Sequence, residues 1–283
     1  VKPAPFDYIR ADSADEAVAL LGEYGDDARI LAGGQSLMPI LNMRLAQPRA
    51  LIDIGRASDL ADACLEQGGL SIRAAVTQAA VERRTRLEQE VPLLAQALPH
   101  LGHFQTRNRG TICGSIAHAD PSAELPLCLA ILDGKVVLRS TGGRRTVAAE
   151  DFFRGPLSTA RAPTELVEAV RFPQAEPGTR YGFAEVAMRH GDFAIAALAV
   201  AVSSNGIRLG IGGVADRPHK QRWPRLAGAE LDDALNRVAW DLDARDDQHA
   251  TAKYRRHLVR TLGKRLIEGL CGDVDRADST RPV

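Results

Sequence analysis

The stretch LAGGQSLMPI at residues 31–40 sets two adjacent glycines between an apolar approach and an apolar exit. Paired glycines cost backbone entropy on folding. They persist where the chain must turn through a conformation closed to other residues, or where its backbone lies close to another group. The flanks show what is being joined: residues 28–32 read as a short strand and residues 37–45 as a helix. Upstream, Ser13 followed by Glu16 forms a capping box. Ala17, Leu20, Leu21 and Tyr24 share one helical face, and Gly25 stands at the C-terminal cap. With the strand-like ALIDI at 50–54, residues 1–55 form a small α/β unit hinged on Gly33-Gly34.

A second block follows. Residues 70–76 are strand-like, Thr77 can cap a short helix, and 91–102 reads as helical. After an Arg- and Gly-rich loop, ELPLCLAILDG (124–134) reads as a buried helix. KVVLRS and RRTVAA flank Thr141-Gly142-Gly143 as a hairpin, and 165–173 is the last strand. The QAEPGT segment (174–179) has linker composition. Beyond it, AIAALAVAVSS and GIRLGIGGVA surround Asn205-Gly206, a strong hairpin signal, with 181–189 as a third strand. Residues 230–270 are helical, with Tyr254, Leu258, Leu262 and Leu266 spaced by fours. The expected architecture is α+β. A two-part domain spans 1–177 (parts 1–55 and 56–177), and a second domain at 178–283 has a small three-stranded antiparallel sheet packed with helices.

Lys plus Arg (36) and Asp plus Glu (36) cancel, so no net field holds a nucleic-acid backbone. The longest apolar stretch, 194–202, is too short to cross a bilayer, and residues 1–17 lack the apolar core of a signal peptide. A cytoplasmic location is expected. Cys64, Cys113, Cys128 and Cys271 are widely separated, with no CxxC spacing to hold zinc or an iron–sulfur cluster. His100 and His103 have no suitably spaced third ligand. No metal site is expected.

The glycine pattern recurs. RNRGTICGSIAHADPSAELP (107–126) sets Gly110 and Gly114 beside Thr111 and Ser115, with Asp120 and Glu124 downstream. A pyrophosphate needs backbone N–H donors at close range. Glycine beside a hydroxyl residue supplies a bare amide and a second donor. Two such loops could clamp one dinucleotide, or each could simply be a turn. Neither fits G-x-G-x-x-G or G-x-x-x-x-G-K-[ST], so a Rossmann or P-loop reading has no support.

Both segments, in this order and spacing, resemble the FAD-binding medium subunit of the molybdenum hydroxylases, which include carbon monoxide, xanthine, nicotine, quinoline and caffeine dehydrogenases. LAGGQSLMPILNMRLAQPRALIDI is similar to that family's first FAD loop, HFQTRNRGTICGSIAHADPSAELP to its second, and YGFAEVAMRHGDFAIAALAV to the entry of its C-terminal domain. The resemblance implies a cofactor domain of the vanillyl-alcohol-oxidase-like type and noncovalent FAD. It puts Ala32, Gly33, Gly34, Gln35 and Ser36 in the first pyrophosphate loop, and Thr111, Ile112, Cys113, Gly114 and Ser115 in the second. Leu101 and Gly102 would line the cofactor, His118 and Glu124 would be polar contacts, Leu166 would meet the adenine, and Phe183 would lie near the isoalloxazine. Cys113 stands where the family's commonest motif has glycine, and Gln35 where some members have histidine.

The resemblance further implies a heterotrimer. A large subunit would carry molybdenum–pterin and a small one two [2Fe–2S] clusters, while this chain passes electrons to an external acceptor. All named residues are then cofactor contacts, with no general acid, base or nucleophile. Two other readings stand beside this one: a self-sufficient flavin oxidase or dehydrogenase, and a noncatalytic nucleotide-binding assembly subunit. Among single residues, Phe183 could be core and His118 a satisfied loop histidine. Cys128 reads as a small buried apolar residue. Arg255-Arg256 reads as a solvated face or a face for a partner.

Overall fold

The computed structural model describes residues 2–278, with side chains described through residue 272. Among the described residues three sheets of three or more strands follow one another along the chain, beside a two-stranded pair of Phe153–Gly155 and Ser158–Thr159. The first is parallel: Ala50–Asp53 lies between Asp7–Arg10 and Ala28–Leu31. Helix Ala14–Tyr24 packs against it through Ala14, Ala17, Val18 and Leu21, and the Ser13 hydroxyl accepts the Glu16 amide as the capping box predicts. The strand Asp7–Arg10 is an addition to the expected pattern. It is short and largely exposed, so it has no apolar alternation to betray it.

The second sheet is antiparallel and five-stranded, ordered Ala63–Glu66, Gly69–Arg73, Leu166–Pro173, Lys135–Ser140 and Gly143–Ala148. Its longest strand, Leu166–Pro173, lies in the middle. There Glu168 is buried to 2% exposure and bound by Arg144 (2.6 and 2.9 Å) and Arg139 (3.1 Å), with Arg73 at 3.6 Å. Pro92–Ala97 is shorter than the expected helix. It tightens into a 3₁₀ turn, Leu98–His100, before Gly102 at φ +48°. The loop expected after it instead holds two short helices, Phe104–Arg109 and Ile112–His118.

The C-terminal sheet is four-stranded: Arg180–Ala187, Ala194–Ser203, Gly206–Gly212 and His219–Trp223, all antiparallel. This corrects the expected count of three. The fourth strand, HKQRW, is an edge strand that the polar sequence conceals. Helices Gly228–Asp241 and Ala252–Asp278 cover one face, burying Leu198, Val200 and Val202 against Leu231, Leu235, Val259 and Leu262. The opposite face is built of Ala197, Ala199 and Ala201, with Gly210 and Gly212 on the next strand. Small residues let the helix Glu124–Ile131 lie directly on the sheet. A Cβ on Gly210 would sit 2.9 Å from Leu127 Cδ1 and 3.2 Å from Ile131 Cβ. All eight residues of that helix are therefore buried, with the second sheet's core on one side and the third sheet on the other.

Candidate functional site

A cleft of about 850 Å³ runs between these three units. The first loop leaves strand Ala28–Leu31 and enters helix Leu37–Asn42, which Arg44 at φ +57° ends earlier than expected. Gly34 has φ +73°, the left-handed region that excludes most side chains. Gly33 is required for a different reason. A Cβ there would lie 2.1 Å from the carbonyl oxygen of Arg109 and 2.7 Å from Gly110 Cα. The glycine therefore admits the backbone of the second loop. Ser36 precedes the helix without capping it, which leaves its hydroxyl free toward the cleft.

The second loop is held from behind. Gly110 O accepts the Gln78 amide (2.8 Å), and the Ile112 amide donates to Val76 O (3.3 Å). Thr111 accepts the Gly114 amide on its side-chain oxygen (3.0 Å). The Gly114 amide is thus not the bare donor expected from sequence, whereas the Thr111 hydroxyl proton remains available. Cys113 donates its thiol to Ile72 O (3.3 Å), and burial holds that thiol far above its ordinary pKa. A thiol tucked into the sheet explains how cysteine stands in place of glycine there.

Of the residues singled out, Ala32, Gly33, Gly34, Gln35, Ser36, Leu101, Gly102, Thr111, Cys113, Gly114, Ser115, His118, Glu124 and Leu166 line this one cleft. Two do not. Ile112 is fully buried in the core behind the loop. Phe183 is partly buried and packs against the core beside His100, with ring centroids 5.2 Å apart, and its amide donates to Gln96 Oε1. Its strand, Arg180–Ala187, ends before the cleft-lining loop begins. That place is taken by Met188–Phe193, whose Gly191 (φ +86°) packs against Gly102. A Cβ on Gly191 would be 2.9 Å from Gly102 O.

Sequence reasoning also missed the charged ends. Arg29 and Arg161 line one end, and burial, then Arg29, holds Arg161 below its ordinary pKa. The nearby Glu165 is already engaged by Arg145 at 2.6 and 2.7 Å. Two guanidinium groups without a dedicated carboxylate give this end a positive potential suited to an anionic ligand. Elsewhere on the cleft lining Arg255 is buried rather than solvated. It donates to Ile195 O (2.5 Å) and Gly213 O (2.6 Å) and pairs with Asp247, fixing the loop that forms the cleft wall. No pattern in the sequence marks these positions, because each acts through a fold contact. His118 is pushed below its ordinary value by burial, with Asp120 opposing, so it is neutral near pH 7. Burial raises Glu124 to about 8, which keeps it protonated there.

The cleft suits an extended dinucleotide. It has a volume of about 850 Å³, Gly33 and Gly34 line it without side chains, and the Gln78 Oε1 at its wall is buried without a partner. Residues 4–175 match the model of the FAD binding domain in molybdopterin dehydrogenase. The chain is 36% identical over 280 residues to the alpha subunit of the 6-hydroxypseudooxynicotine dehydrogenase complex of Paenarthrobacter nicotinovorans, covering 94% of this chain and 95% of that one. It is 37% identical over 277 residues to the carbon monoxide dehydrogenase medium chain of Hydrogenophaga pseudoflava, covering 94% and 96%. In structure it is similar to carbon monoxide dehydrogenase of Hydrogenophaga pseudoflava (TM-score 0.90, 31% identity, 96% of this chain and 99% of that chain). Quinoline 2-oxidoreductase of Pseudomonas putida 86 gives the same values. The fold and the site thus define a flavin subunit of a multi-subunit oxidoreductase. The chain belongs to the FAD-binding medium subunits of the molybdenum hydroxylase family.

Proposed function

We propose that this chain is the electron outlet of a cytoplasmic molybdenum hydroxylase heterotrimer. It receives electrons from [2Fe–2S] clusters of a small partner subunit and passes them through noncovalent FAD to an external acceptor. A large molybdenum–pterin subunit oxidises the organic substrate. The observation that carries this reading is the meeting of the two glycine loops across one cleft, Gly33 against Arg109. Ala32–Ser36 and Thr111–Ser115 would hold the pyrophosphate, and Leu166 with the Arg29–Arg161 end the adenylate half. Leu101 and Gly102 would line the cofactor, and His118 and Glu124 would meet its sugar or phosphate portion. When bound, the cofactor supplies the redox chemistry, and the chain binds it, orients it and excludes water from it.

The mouth of the cleft supports a partner. Met188 and Phe193 line it while 63% and 64% exposed, and Phe104, one residue after His103, is also 64% exposed. Apolar residues gathered at such a rim are expected where another chain covers it. Among the described residues no helix is long and apolar enough to cross a membrane. Acid precipitation of the purified complex tests the cofactor: flavin should be released into the supernatant at one per chain, and mass spectrometry should find two co-purifying chains. Flavin retained on the denatured chain, or none at all, contradicts the reading.

A further inference from the structure

Glu124 opens a helix whose eight residues are all buried, and it lines the cleft while only 6% exposed. Its carboxyl has no counter-ion. Among the described residues it forms no ion pair, and the hydrogen bond it receives comes from its own backbone amide. The cations that share the cleft are committed elsewhere. Arg189 pairs with Asp192 and Arg255 with Asp247, while Arg29 and Arg161 donate to backbone carbonyls. The charged groups that act on Glu124 from the surrounding elements are Glu185 on strand Arg180–Ala187, His100 in the 3₁₀ turn and Asp120 in the preceding loop. His100 already lies 3.3 Å from Glu185. Cys128, one turn further along the helix, keeps its thiol protonated, and His118, at the end of the preceding helix, is neutral near pH 7. A carboxylate here would lose water and gain no partner, so the side chain stays a carboxylic acid. That makes it an O–H donor, presented to a cleft whose ligand is rich in oxygen acceptors.

We propose that Glu124 holds the cofactor as a carboxylic acid, donating its proton to a sugar or phosphate oxygen, so that FAD retention is coupled to one proton; this rests on the flavin reading above. The sign of the coupling follows from the burial of Glu124, which raises it to about 8 in the flavin-free chain. Below that pH the proton is in place before FAD arrives, and affinity does not vary with pH. Above it the free chain has lost the proton and takes one back from solvent on binding, so affinity falls as pH rises. An unprotonated Glu124 has no donor to offer and adds a negative charge to a site for an anionic ligand.

The test is FAD titration of the flavin-free full chain from neutral pH into mild alkali, for wild type, Glu124→Gln and Glu124→Leu. Flavin fluorescence gives Kd, and calorimetry in two buffers of different ionisation enthalpy counts the protons taken up. Wild-type Kd should be flat up to about pH 8 and then rise toward roughly tenfold per pH unit, with close to one proton taken up per FAD in alkali and none at neutral pH. E124Q, whose amide also donates, should show neither the rise nor the uptake. E124L has no donor and should bind FAD roughly 10–100-fold more weakly than E124Q at every pH. Wild-type binding that is flat with pH and takes up no proton overturns the proposal. An alkaline loss that survives in E124Q, or an E124L that binds as well as E124Q, overturns it too. A wild-type chain that binds no FAD at neutral pH overturns the flavin reading itself, and flavin content alone tells the two failures apart.

Discussion

Gly33 and Arg109 meet backbone to backbone, so closely that a Cβ on the glycine would fall 2.1 Å from the arginine's carbonyl oxygen. Seventy-six residues separate them in sequence, and their contact fixes the spacing of the two loops that flank the cleft. Backbone cannot yield as a flexible side chain can. Gly33→Ala should therefore cost about 1–3 kcal/mol of stability even without cofactor, the usual range for overpacking. It should also abolish flavin retention. Denaturant titration of the flavin-free chain checks the first part and flavin absorbance the second. An apo stability equal to wild type would mean that the loops do not touch.

Gly34 should behave differently, because its constraint is conformational. At φ +73° alanine is strained by about 1–2 kcal/mol, whereas asparagine tolerates the left-handed region. Gly34→Asn should thus regain most of the apo stability lost in Gly34→Ala. Thermal melts of the two variants side by side make the comparison, and equal losses would contradict it.

Thr111 caps the helix behind the second loop by accepting the Gly114 amide. Thr111→Val removes that acceptor and should cost about 1 kcal/mol, while Thr111→Ser keeps it. If the hydroxyl proton also serves the cofactor, Thr111→Val should release FAD more readily than its stability loss explains, as a flavin-dissociation measurement would reveal. Proportionate losses in both quantities would assign Thr111 to structure alone.

Glu124 makes the apo fold pH-sensitive. Its folded pKa, raised by burial to about 8, lies above the value in the unfolded chain. Its contribution is whole below the ordinary carboxylate range and is lost as pH rises toward 8, with a limiting slope of about 1.4 kcal/mol per pH unit. Glu124→Gln removes this slope, so the variant should match wild type in acid and exceed it in mild alkali. Parallel stability curves across pH would contradict a buried neutral carboxyl.

Glu168 acts with the opposite sign. Burial pushes it up, but Arg144 and Arg139 overcome that and hold it below its ordinary value, so its contribution is present at neutral pH and lost in acid. Glu168→Ala strands the partly buried Arg73, leaves Arg139 with Asp15 alone, and should cost about 3 kcal/mol, the lower end for a broken buried pair, because Arg144 can turn to water. Chemical denaturation of the flavin-free variant measures it.

Much of this was legible in the chain because it depends on neighbours in sequence. The Ser13 cap, the Asn205-Gly206 hairpin and the buried helix at Glu124 all follow from local pattern. The glycine loops were recognisable, but the reason for Gly33 was not, since its partner lies on another element. Arg255 looked like a surface residue because nothing local says that two carbonyls wait for it. Phe183 fell out of the cleft for a similar reason: strand pairing with Ala199 fixes which way it faces. Strands Asp7–Arg10 and His219–Trp223 escaped notice because edge strands can be polar on both faces.

The central claim, that this chain carries electrons it cannot itself draw from an organic substrate, is tested most directly by anaerobic reduction. The FAD-loaded isolated chain and the full complex are each mixed with a panel of N-heterocycles, aldehydes and carbon monoxide, and flavin absorbance is followed. Bleaching by at least one substrate in the complex, with none in the isolated chain, is the predicted result. Rapid bleaching of the isolated chain by any of these compounds would make it a self-sufficient flavoenzyme and contradict the account.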